Sequence, residues 1–221
     1  ALGDERTMLE SMQMGTLDMG IITSGPFVNF SSAMGVLDMP FLFANNEEAY
    51  KVLDGEIGKE LLGTLEDADL KGLAYAERGF RNITNSKKPI TNAADVAGLK
   101  LRVMENDVYT ATFKALGVNA VPMAWSDALT ALQQGTIDGA ENNWPTYQNM
   151  GDYEAATYYV LDEHTRVPEI LLASAEVLSG LDAADVEIIK QCAIETEAYE
   201  KQKWAEKEES SEKIVREAGC T

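Results

Sequence analysis

The segment QQGTIDGAENNWP, Gln133–Pro145, repeats a pattern that the chain already contains in QMGTLDMGIITSGP, Gln13–Pro26. In each segment a helical run ends at Gly, and Thr, an apolar residue and Asp then lead into a short strand. Glycine suits the left-handed backbone at the end of a helix, and Asp commonly bonds to the backbone of its own turn. Two such units predict two similar α/β lobes, although a chance match of common turn residues is the alternative.

Small and polar residues follow both predicted strands. TSGP, Thr23–Pro26, follows the first strand, and ENNWP, Glu141–Pro145, follows the second. In open α/β sheets, ligands bind beyond the carboxyl ends of the strands. Two lobes that present such strand ends toward one another make a cleft, and we expect the ligand to bind there.

The rest of the chain alternates strand and helix patterns. Strands are predicted at Leu73–Ala76 and within Gly98–Asn106, and helices at Asn46–Leu65 and from an N-cap at Ser126. No Pro or Gly interrupts the chain from Asp182 to about Gly219, where alternating acids and bases predict one long helix. This alternation indicates an α/β fold with largely parallel sheets.

Composition excludes several classes of partner. The chain has 221 residues and a formal net charge of −19, from 18 Lys and Arg against 37 Asp and Glu. Nucleic acids and anionic membranes bind clustered basic residues, so this balance argues against both. No run of about 18 apolar residues predicts a membrane-spanning helix. Cys192 and Cys220 fit no metal-binding spacing, and the sequence predicts neither a metal nor a cofactor.

A family resemblance rests on several runs of sequence. GFRNITNSKKPI (Gly79–Ile90), GLKLRVMEN (Gly98–Asn106) and the run from Phe113 to Pro145 closely resemble the extracytoplasmic solute-binding proteins of TRAP transporters, the DctP-like family. The opening LGDERTMLESMQMGTLDMGIITSGPF and the MPFLF at Met39–Phe43 are similar to that family as well. The resemblance covers essentially the whole chain, and its motif set is specific.

The resemblance implies a fold and a domain organisation. We expect a two-lobe periplasmic-binding-protein clamshell with a long C-terminal helix spanning both lobes. Residues 1–78 and 168–205 would form lobe I, and residues 79–167 and 206–221 would form lobe II. The family usually carries more chain before the LGDER motif and after the long helix. We therefore expect a chain truncated at both ends and exported with a signal peptide that is absent here.

The resemblance also implies a function without catalysis. Such a protein captures an organic acid in the periplasm and delivers it to the TRAP membrane permease, and we expect a monomer. The hallmark arginine that pairs with the ligand carboxylate falls on Arg102, and a second site arginine falls on Arg81. The site asparagine falls on Asn142, and the aromatic residue after PMA falls on Trp125.

Further residues are candidates because of their position near a predicted strand end or crossing. They are Glu77, Ser24, Phe27, His164 and Arg166. Several of the candidate site residues also have a structural alternative. Arg102 could pair with an internal acid, Trp125 could be core, and Asn143 competes with Asn142 because consecutive residues point to different sides. His164, the only histidine, is slightly favoured as a structural residue.

The ligand class stays open between several acids. A planar guanidinium matches a carboxylate with two parallel hydrogen bonds, which fixes only that one group of the ligand. ENNWPTY and DEHTRVPE look like family members that bind sugar acids, so we expect a hexuronate such as glucuronate or galacturonate. The alternatives are a C4-dicarboxylate, a 2-oxo acid, a sensory module that signals to a partner, or a hydrolase that pairs Glu77 with Glu105 or Glu141.

Overall fold

The computed structural model describes residues 2–221, and the chain divides into two compact units. Unit 1 consists of residues 1–38, 42–79 and 167–204. Unit 2 consists of residues 39–41, 80–166 and 205–221. The segment Met39–Phe41, which the sequence analysis assigns to lobe I, belongs to unit 2.

Unit 1 is built on a three-stranded sheet. Its strands are β1 (Met19–Thr23), β2 (Leu70–Ala76) and β9 (Glu169–Ser174), in the order β1-β9-β2. Strand β9 is antiparallel to both neighbours, and Ile22 of β1 lies opposite Ile170. These two side chains are buried in an apolar core that also includes Phe27.

Four complete helices and most of a fifth accompany this sheet. They are α1 (Glu5–Gln13), α2 (Asn46–Leu53), α3 (Glu56–Gly63), α8 (Ala175–Ser179) and the first part of α9 (Ala183–Glu217). The single helix predicted from Asn46 to Leu65 is wrong, because the chain breaks after Leu53. Gly55 there has an extended backbone, with ψ at −167°, and forms the N-cap of α3.

Unit 2 is built on a six-stranded sheet. Its strands are β3 (Phe80–Asn85), β4 (Lys100–Val103), β5 (Asn119–Pro122), β6 (Gly139–Asn142), β7 (Tyr158–Tyr159) and β8 (Thr165–Arg166). The order is β5-β4-β6-β3-β7, with β8 also paired to β3. Strand β4 is parallel to β5 and to β6, whereas β3 is antiparallel to all its neighbours. The prediction of largely parallel sheets is therefore wrong.

Helices of unit 2 connect these strands. They are α4 (Asp107–Ala115), α5 (Trp125–Gln133), α6 (Trp144–Asn149) and α7 (Asp152–Ala155). Helix α5 begins two residues earlier than the predicted N-cap implies. Its N-cap is Ala124, which makes no side-chain capping bond, so the predicted cap at Ser126 is wrong.

The two repeated turns have the same backbone hydrogen bonds. Gly15 and Gly135 have positive φ angles of 65° and 69° and donate to Met12 and Leu132. The following threonines donate to Ser11 and Ala131 in the same way. The predicted role of the second Asp is wrong, because the Asp138 carboxylate accepts the Lys100 N–H at 2.9 Å and so bonds to strand β4.

Helix α9 has 35 residues, and the prediction of one long helix is confirmed. Its residues up to Trp204 belong to unit 1, and those from Ala205 belong to unit 2. Within residues 2–221, none of the helices has the length and apolar character that crossing a membrane requires.

Candidate functional site

The candidate site of unit 2 begins with the pairing of strands β3 and β6. These strands are antiparallel, and Ile83 lies opposite Glu141. Successive side chains of a strand alternate between faces, so Arg81 emerges on the same face as Ile83. This register brings the Arg81 guanidinium to Glu141, 60 residues away in the chain.

Arg81 and Glu141 form a buried ion pair. Both guanidinium nitrogens that face the carboxylate take part: Nε contacts Oε2, and Nη2 donates to Oε1 at 2.9 Å. Nη2 also donates to the backbone oxygen of Glu141 at 2.6 Å, and Nη1 donates to Asn142 Oδ1 at 3.3 Å. Burial alone would raise the pKa of Glu141, but Arg81 and His164 lower it to about 2. Glu141 is therefore ionised at neutral pH.

His164 extends this cluster on the other side of Glu141. Its Nδ1 lies 2.8 Å from Asp162 Oδ2, and its Nε2 lies 3.5 Å from Glu141 Oε2. Burial alone would lower the pKa of His164, but the two carboxylates raise it to about 9. The imidazole is thus positively charged at neutral pH, and it bridges Asp162 and Glu141.

Arg102 reaches the same carboxylate from strand β4. Its Nη1 lies 3.9 Å from Glu141 Oε1, and its Nε donates to the Met123 carbonyl at 2.8 Å. The guanidinium lies 5.1 Å from the centre of the Trp125 ring, which is cation–π distance. Trp125 and the Met123 carbonyl therefore hold the plane of Arg102 in place.

The buried charges of unit 2 have the opposite sign to the chain as a whole. Among residues 2–221, the buried charged side chains of this unit are four positive groups and two carboxylates: Arg81, Arg102, His164 and Arg166 against Glu141 and Asp152. Asp162, which pairs with His164, is only partly buried. Burial raises the pKa of Asp152 to about 6, so it is mostly ionised at neutral pH. The formal charge of the chain is −19.

Asn142, the last residue of β6, and Asn143, which follows it, have distinct contacts. Asn142 Oδ1 accepts from Arg81 and, at 3.0 Å, from the backbone N–H of Asn143. Asn143 Oδ1 accepts the Thr146 N–H at 2.9 Å and is the N-cap of α6. The Trp144 ring stacks on Tyr159 with 3.7 Å between ring centres. Asn142 is thus part of the charged cluster, whereas Asn143 and Trp144 hold α6 and the core.

Arg166 and the candidates of unit 1 lie in different surroundings. Arg166 is buried on strand β8 opposite Phe80. Ser24 is fully buried, and the structure gives its hydroxyl no hydrogen-bond partner among the described residues. Phe27 is buried in the apolar core of unit 1.

The Glu77 carboxylate accepts hydrogen bonds from residues of its own unit. Its Oε1 accepts the backbone N–H groups of Arg78 at 2.8 Å and Gly79 at 2.6 Å. Its Oε2 accepts the hydroxyl of Tyr50. These bonds fix the turn between β2 and β3.

Sequence reasoning missed the two carboxylates that organise the cluster. Glu141 entered only as a hydrolase candidate, and Asp162 was not considered. A signal for Asp162 exists, because it lies two residues before the only histidine. The partner of Arg81 has no comparable local signal, since the strand register determines it.

The geometry also bears on catalysis and metals. Both oxygens of Glu141 contact Arg81, and a pKa of about 2 does not suit a general acid. Among residues 2–221, no group of three or more His, Cys, Asp or Glu side chains could hold a metal ion. The cluster has the features of a site that binds an anion.

The α/β fold and the buried cationic cluster define the class of an anion-binding protein. The family model described as "Bacterial extracellular solute-binding protein, family 7", DctP, matches residues 1–221, and the chain belongs to this family. Members of the family bind solutes and are not enzymes.

Similar proteins include curated relatives and solved structures. A solute-binding protein of Chromohalobacter salexigens is 35% identical over 218 residues, which are 99% of this chain and 65% of the relative. The 2,3-diketo-L-gulonate-binding periplasmic protein YiaO of Escherichia coli is 33% identical over 99% of this chain and 66% of its own length. The chain thus spans somewhat less than two thirds of these relatives.

The fold agrees with TRAP periplasmic solute-binding proteins of known structure. One from Sulfitobacter sp. NAS-14.1 with bound β-D-galacturonate is 34% identical, with a TM-score of 0.98, over 100% of this chain and 74% of that chain. One from Chromohalobacter salexigens with bound D-glucuronate is 35% identical, with a TM-score of 0.98, over 100% of this chain and 73% of that chain. The expected family and fold class are confirmed.

Proposed function

We propose that this protein is the periplasmic solute-binding component of a TRAP transporter and captures a sugar acid, most suitably a hexuronate such as galacturonate or glucuronate. The observation that carries this proposal is the buried positive surplus around Glu141 in a strongly acidic chain. A carboxylate is the ligand group that such a cluster favours, because a guanidinium can bind it with two parallel hydrogen bonds.

Arg102 is the proposed anchor for the ligand carboxylate. Its contact with Glu141 is the longest of the arginine contacts in the cluster, at 3.9 Å, whereas Arg81 holds the same carboxylate with two nitrogens. A fixed guanidinium plane can accept a carboxylate with two parallel hydrogen bonds. Trp125, which holds that plane, would also offer an apolar surface to a sugar ring.

Arg81 and Asn142 are proposed to support this anchor. Because Arg81 is engaged by Glu141, its main task would be to fix Glu141 and to orient Asn142 through its Nη1 contact. The Asn142 amide then presents a donor to a ligand hydroxyl or carboxylate. We propose His164 and Arg166 as sources of positive charge for the site, and Ser24 as a further hydroxyl from unit 1.

A hexuronate is proposed ahead of a C4-dicarboxylate. The structural neighbours from Sulfitobacter and Chromohalobacter hold galacturonate and glucuronate, which carry one carboxylate each. One carboxylate matches the single anchor proposed at Arg102, which can bind it with two parallel hydrogen bonds.

The cellular context is proposed from the family. TRAP solute-binding proteins are periplasmic and work with membrane permease subunits. We propose that units 1 and 2 correspond to the two lobes of the family. Ligand binding would shift the population of lobe arrangements, and the permease would recognise the ligand-bound one.

The test is a thermal-shift and calorimetric screen with D-galacturonate, D-glucuronate, succinate and pyruvate. We expect one equivalent of hexuronate to bind and to raise Tm, with no product formed. Arg102→Ala should abolish the response to every acid. The matched control is Arg216→Ala, since Arg216 is an exposed arginine of the same unit that pairs with Glu212. Unchanged hexuronate affinity in Arg102→Ala would disprove the site, and a preference for succinate would disprove the monoacid assignment.

A further inference from the structure

Asp152 is a buried carboxylate of unit 2 that has no part in the proposed ligand contacts. It is the first residue of helix α7 and is only 4% exposed. An ionised carboxylate is costly to bury unless a positive group compensates its charge. The surroundings of α7 show which positive group does so.

Helix α7 packs close to the residues that hold Arg102. The Arg102 Nε donates to the Met123 carbonyl at 2.8 Å. The Met123 side chain and Ala155 of α7 pack against the same small apolar cluster. Asp152 and Arg102 are thus brought together by the packing of α7 beside the end of strand β5, although they are far apart in the chain.

The charged group that acts on Asp152 is Arg102. Burial raises the pKa of Asp152 and the Arg102 guanidinium lowers it, with a resulting pKa of about 6. The Asp152 charge also acts on the Tyr147 phenol of α6, but burial raises the pKa of Tyr147 well above its usual value and keeps it neutral. Helix α5 packs on α7 as well. Among residues 2–221, Arg102 is therefore the positive charge that favours the ionised form of Asp152.

A ligand carboxylate at Arg102 competes with Asp152 for the same guanidinium. Two carboxylates that share one site do not both ionise freely, and the pKa of one of them rises. The carboxylate of a sugar acid has an ordinary pKa of about 3.5, and direct contact with an arginine lowers it further. The pKa of Asp152 is the higher of the two before binding, so Asp152 is the group that takes up a proton.

We propose that Asp152 is a positioning residue that couples capture of the acid to uptake of up to one proton. The proton comes from the solvent and binds to a carboxylate oxygen of Asp152, which leaves the Arg102 charge to the ligand carboxylate. On ligand release Asp152 loses this proton and is again a negative charge beside Arg102. The inference rests on the proposed function and adds a pH dependence to it: the acid binds more tightly as pH falls from about 8 to about 5.5.

Other buried groups with shifted pKa values do not account for this dependence. Glu141, with a pKa of about 2, stays negative across that interval, and His164, with a pKa of about 9, stays mostly positive. Among residues 2–221, Asp152 is thus the buried carboxylate of unit 2 that titrates there. Glu200 of unit 1 has a pKa of about 7 and is the group for which a control is needed.

The test is calorimetric titration of the full chain with D-galacturonate between about pH 5.5 and about pH 8, in buffers of different ionisation enthalpy, which counts the protons taken up. The wild type should lose about three- to tenfold in affinity as pH rises, because one pKa unit corresponds to a factor of ten. Asp152→Asn resembles protonated Asp152 at every pH. It should bind at pH 8 as tightly as the wild type at pH 5.5, without proton uptake.

Two control variants should keep the pH profile and proton uptake of the wild type. Glu200→Gln removes the carboxylate of unit 1 that titrates in the same interval. Glu154→Gln makes the same kind of change at an exposed position of α7 itself. Carbon NMR of the Asp152 carboxyl in the wild type, with and without saturating D-galacturonate, tests the linkage without a variant. The pKa should rise when the ligand is bound.

The outcomes separate this linkage from the proposed function. Galacturonate binding without proton uptake, or an Asp152 pKa that the ligand does not move, would overturn the linkage and leave the function intact. The same pH profile in Asp152→Asn and the wild type would assign the proton to another group. No binding of galacturonate at any pH would overturn the proposed function and the linkage with it.

Discussion

Glu141 in unit 2 and Glu200 in unit 1 are glutamates with opposite pKa shifts. Positive neighbours lower the pKa of Glu141 to about 2, despite burial. Burial, together with the nearby carboxylates of Glu77 and Glu169, raises the pKa of Glu200 to about 7. The sign of the surrounding charge, rather than burial, distinguishes the two environments. Unit 2 gathers positive charge around a carboxylate, and unit 1 gathers carboxylates around one another.

A hydrogen bond to the backbone explains how Glu200 is held close to other carboxylates. Its carboxylate accepts the backbone N–H of Glu77 at 2.6 Å. Arg78 of the same turn pairs with Glu169, and Lys201 pairs with Asp54 and Glu197. The basic residues nearby therefore have other carboxylates to neutralise. A structural hydrogen bond, and not an ion pair, holds Glu200 in place.

The largest expected effect follows from removing the charge of Glu141. Glu141→Gln leaves Arg81 buried without its counter-ion, which costs about 3–5 kcal/mol when a buried ion pair is broken. Chemical denaturation should show this loss in the free energy of unfolding. The control is Glu154→Gln, an exposed glutamate of the same unit, which should change stability by less than about 0.5 kcal/mol. Equal stability of the two variants would show that Arg81 does not depend on Glu141.

The next effect is a dependence of stability on pH that His164 causes. The folded-state pKa of about 9 lies above the ordinary histidine pKa of 6.5, because Asp162 and Glu141 favour the protonated ring despite burial. A raised histidine pKa contributes stability that is complete below pH 6.5 and is lost as pH rises toward 9. We expect Tm to fall across this interval in the wild type and to fall less in His164→Gln.

Histidine titration is measured directly by NMR on the same protein. A ring that titrates near its ordinary value would contradict the ion pairs with Asp162 and Glu141. The chain has one histidine, so the assignment is unambiguous.

Part of the fold and of the candidate site could be predicted from the sequence, and part could not. The turns at Gly15 and Gly135 are predictable because helix ends and glycine conformation are local properties. The long helix α9 is predictable because 35 residues without Pro or Gly have few alternatives. The assignment of Arg102 and Arg81 to the ligand site came from a resemblance, since a lone arginine in a strand does not reveal its partner.

The errors have a common physical cause. Strand direction in unit 2 depends on which strands pair, and β3 meets β6, β7 and β8 only after folding. The same register brings Glu141 to Arg81 and makes it a counter-ion instead of a catalytic acid. The break at Gly55 between α2 and α3 was visible in the sequence, but helical apolar spacing on both sides obscured it.

A smaller effect with the same pH sense, at lower pH, is expected for Glu200. Its raised pKa means that stability is greatest below pH 4.5 and is lost as pH rises toward 7, where the folded state must accommodate a further negative charge. Glu200→Gln removes that charge and keeps an oxygen that accepts the Glu77 N–H. We expect a higher Tm than wild type at pH 8 and no difference at pH 4. A lower Tm at pH 8 would mean that the charge of Glu200 stabilises unit 1.

The smallest effect is expected at the end of strand β1, where unit 1 offers hydroxyls in place of charges. Thr23 is buried, and its hydroxyl has no hydrogen-bond partner among the described residues. Replacing an unsatisfied buried hydroxyl by a methyl group of the same shape is nearly neutral or stabilising. Thr23→Val should therefore leave the free energy of unfolding within about 0.5 kcal/mol of wild type or raise it.

Thr84→Val is the matched control, because Thr84 Oγ1 donates to the Ala140 carbonyl at 3.1 Å and its removal should cost about 1 kcal/mol. A loss in Thr23→Val as large as in Thr84→Val would show that the Thr23 hydroxyl is bonded in the folded protein. A neutral result would mark it as a polar group free to meet a ligand, the uncharged counterpart of the cluster in unit 2.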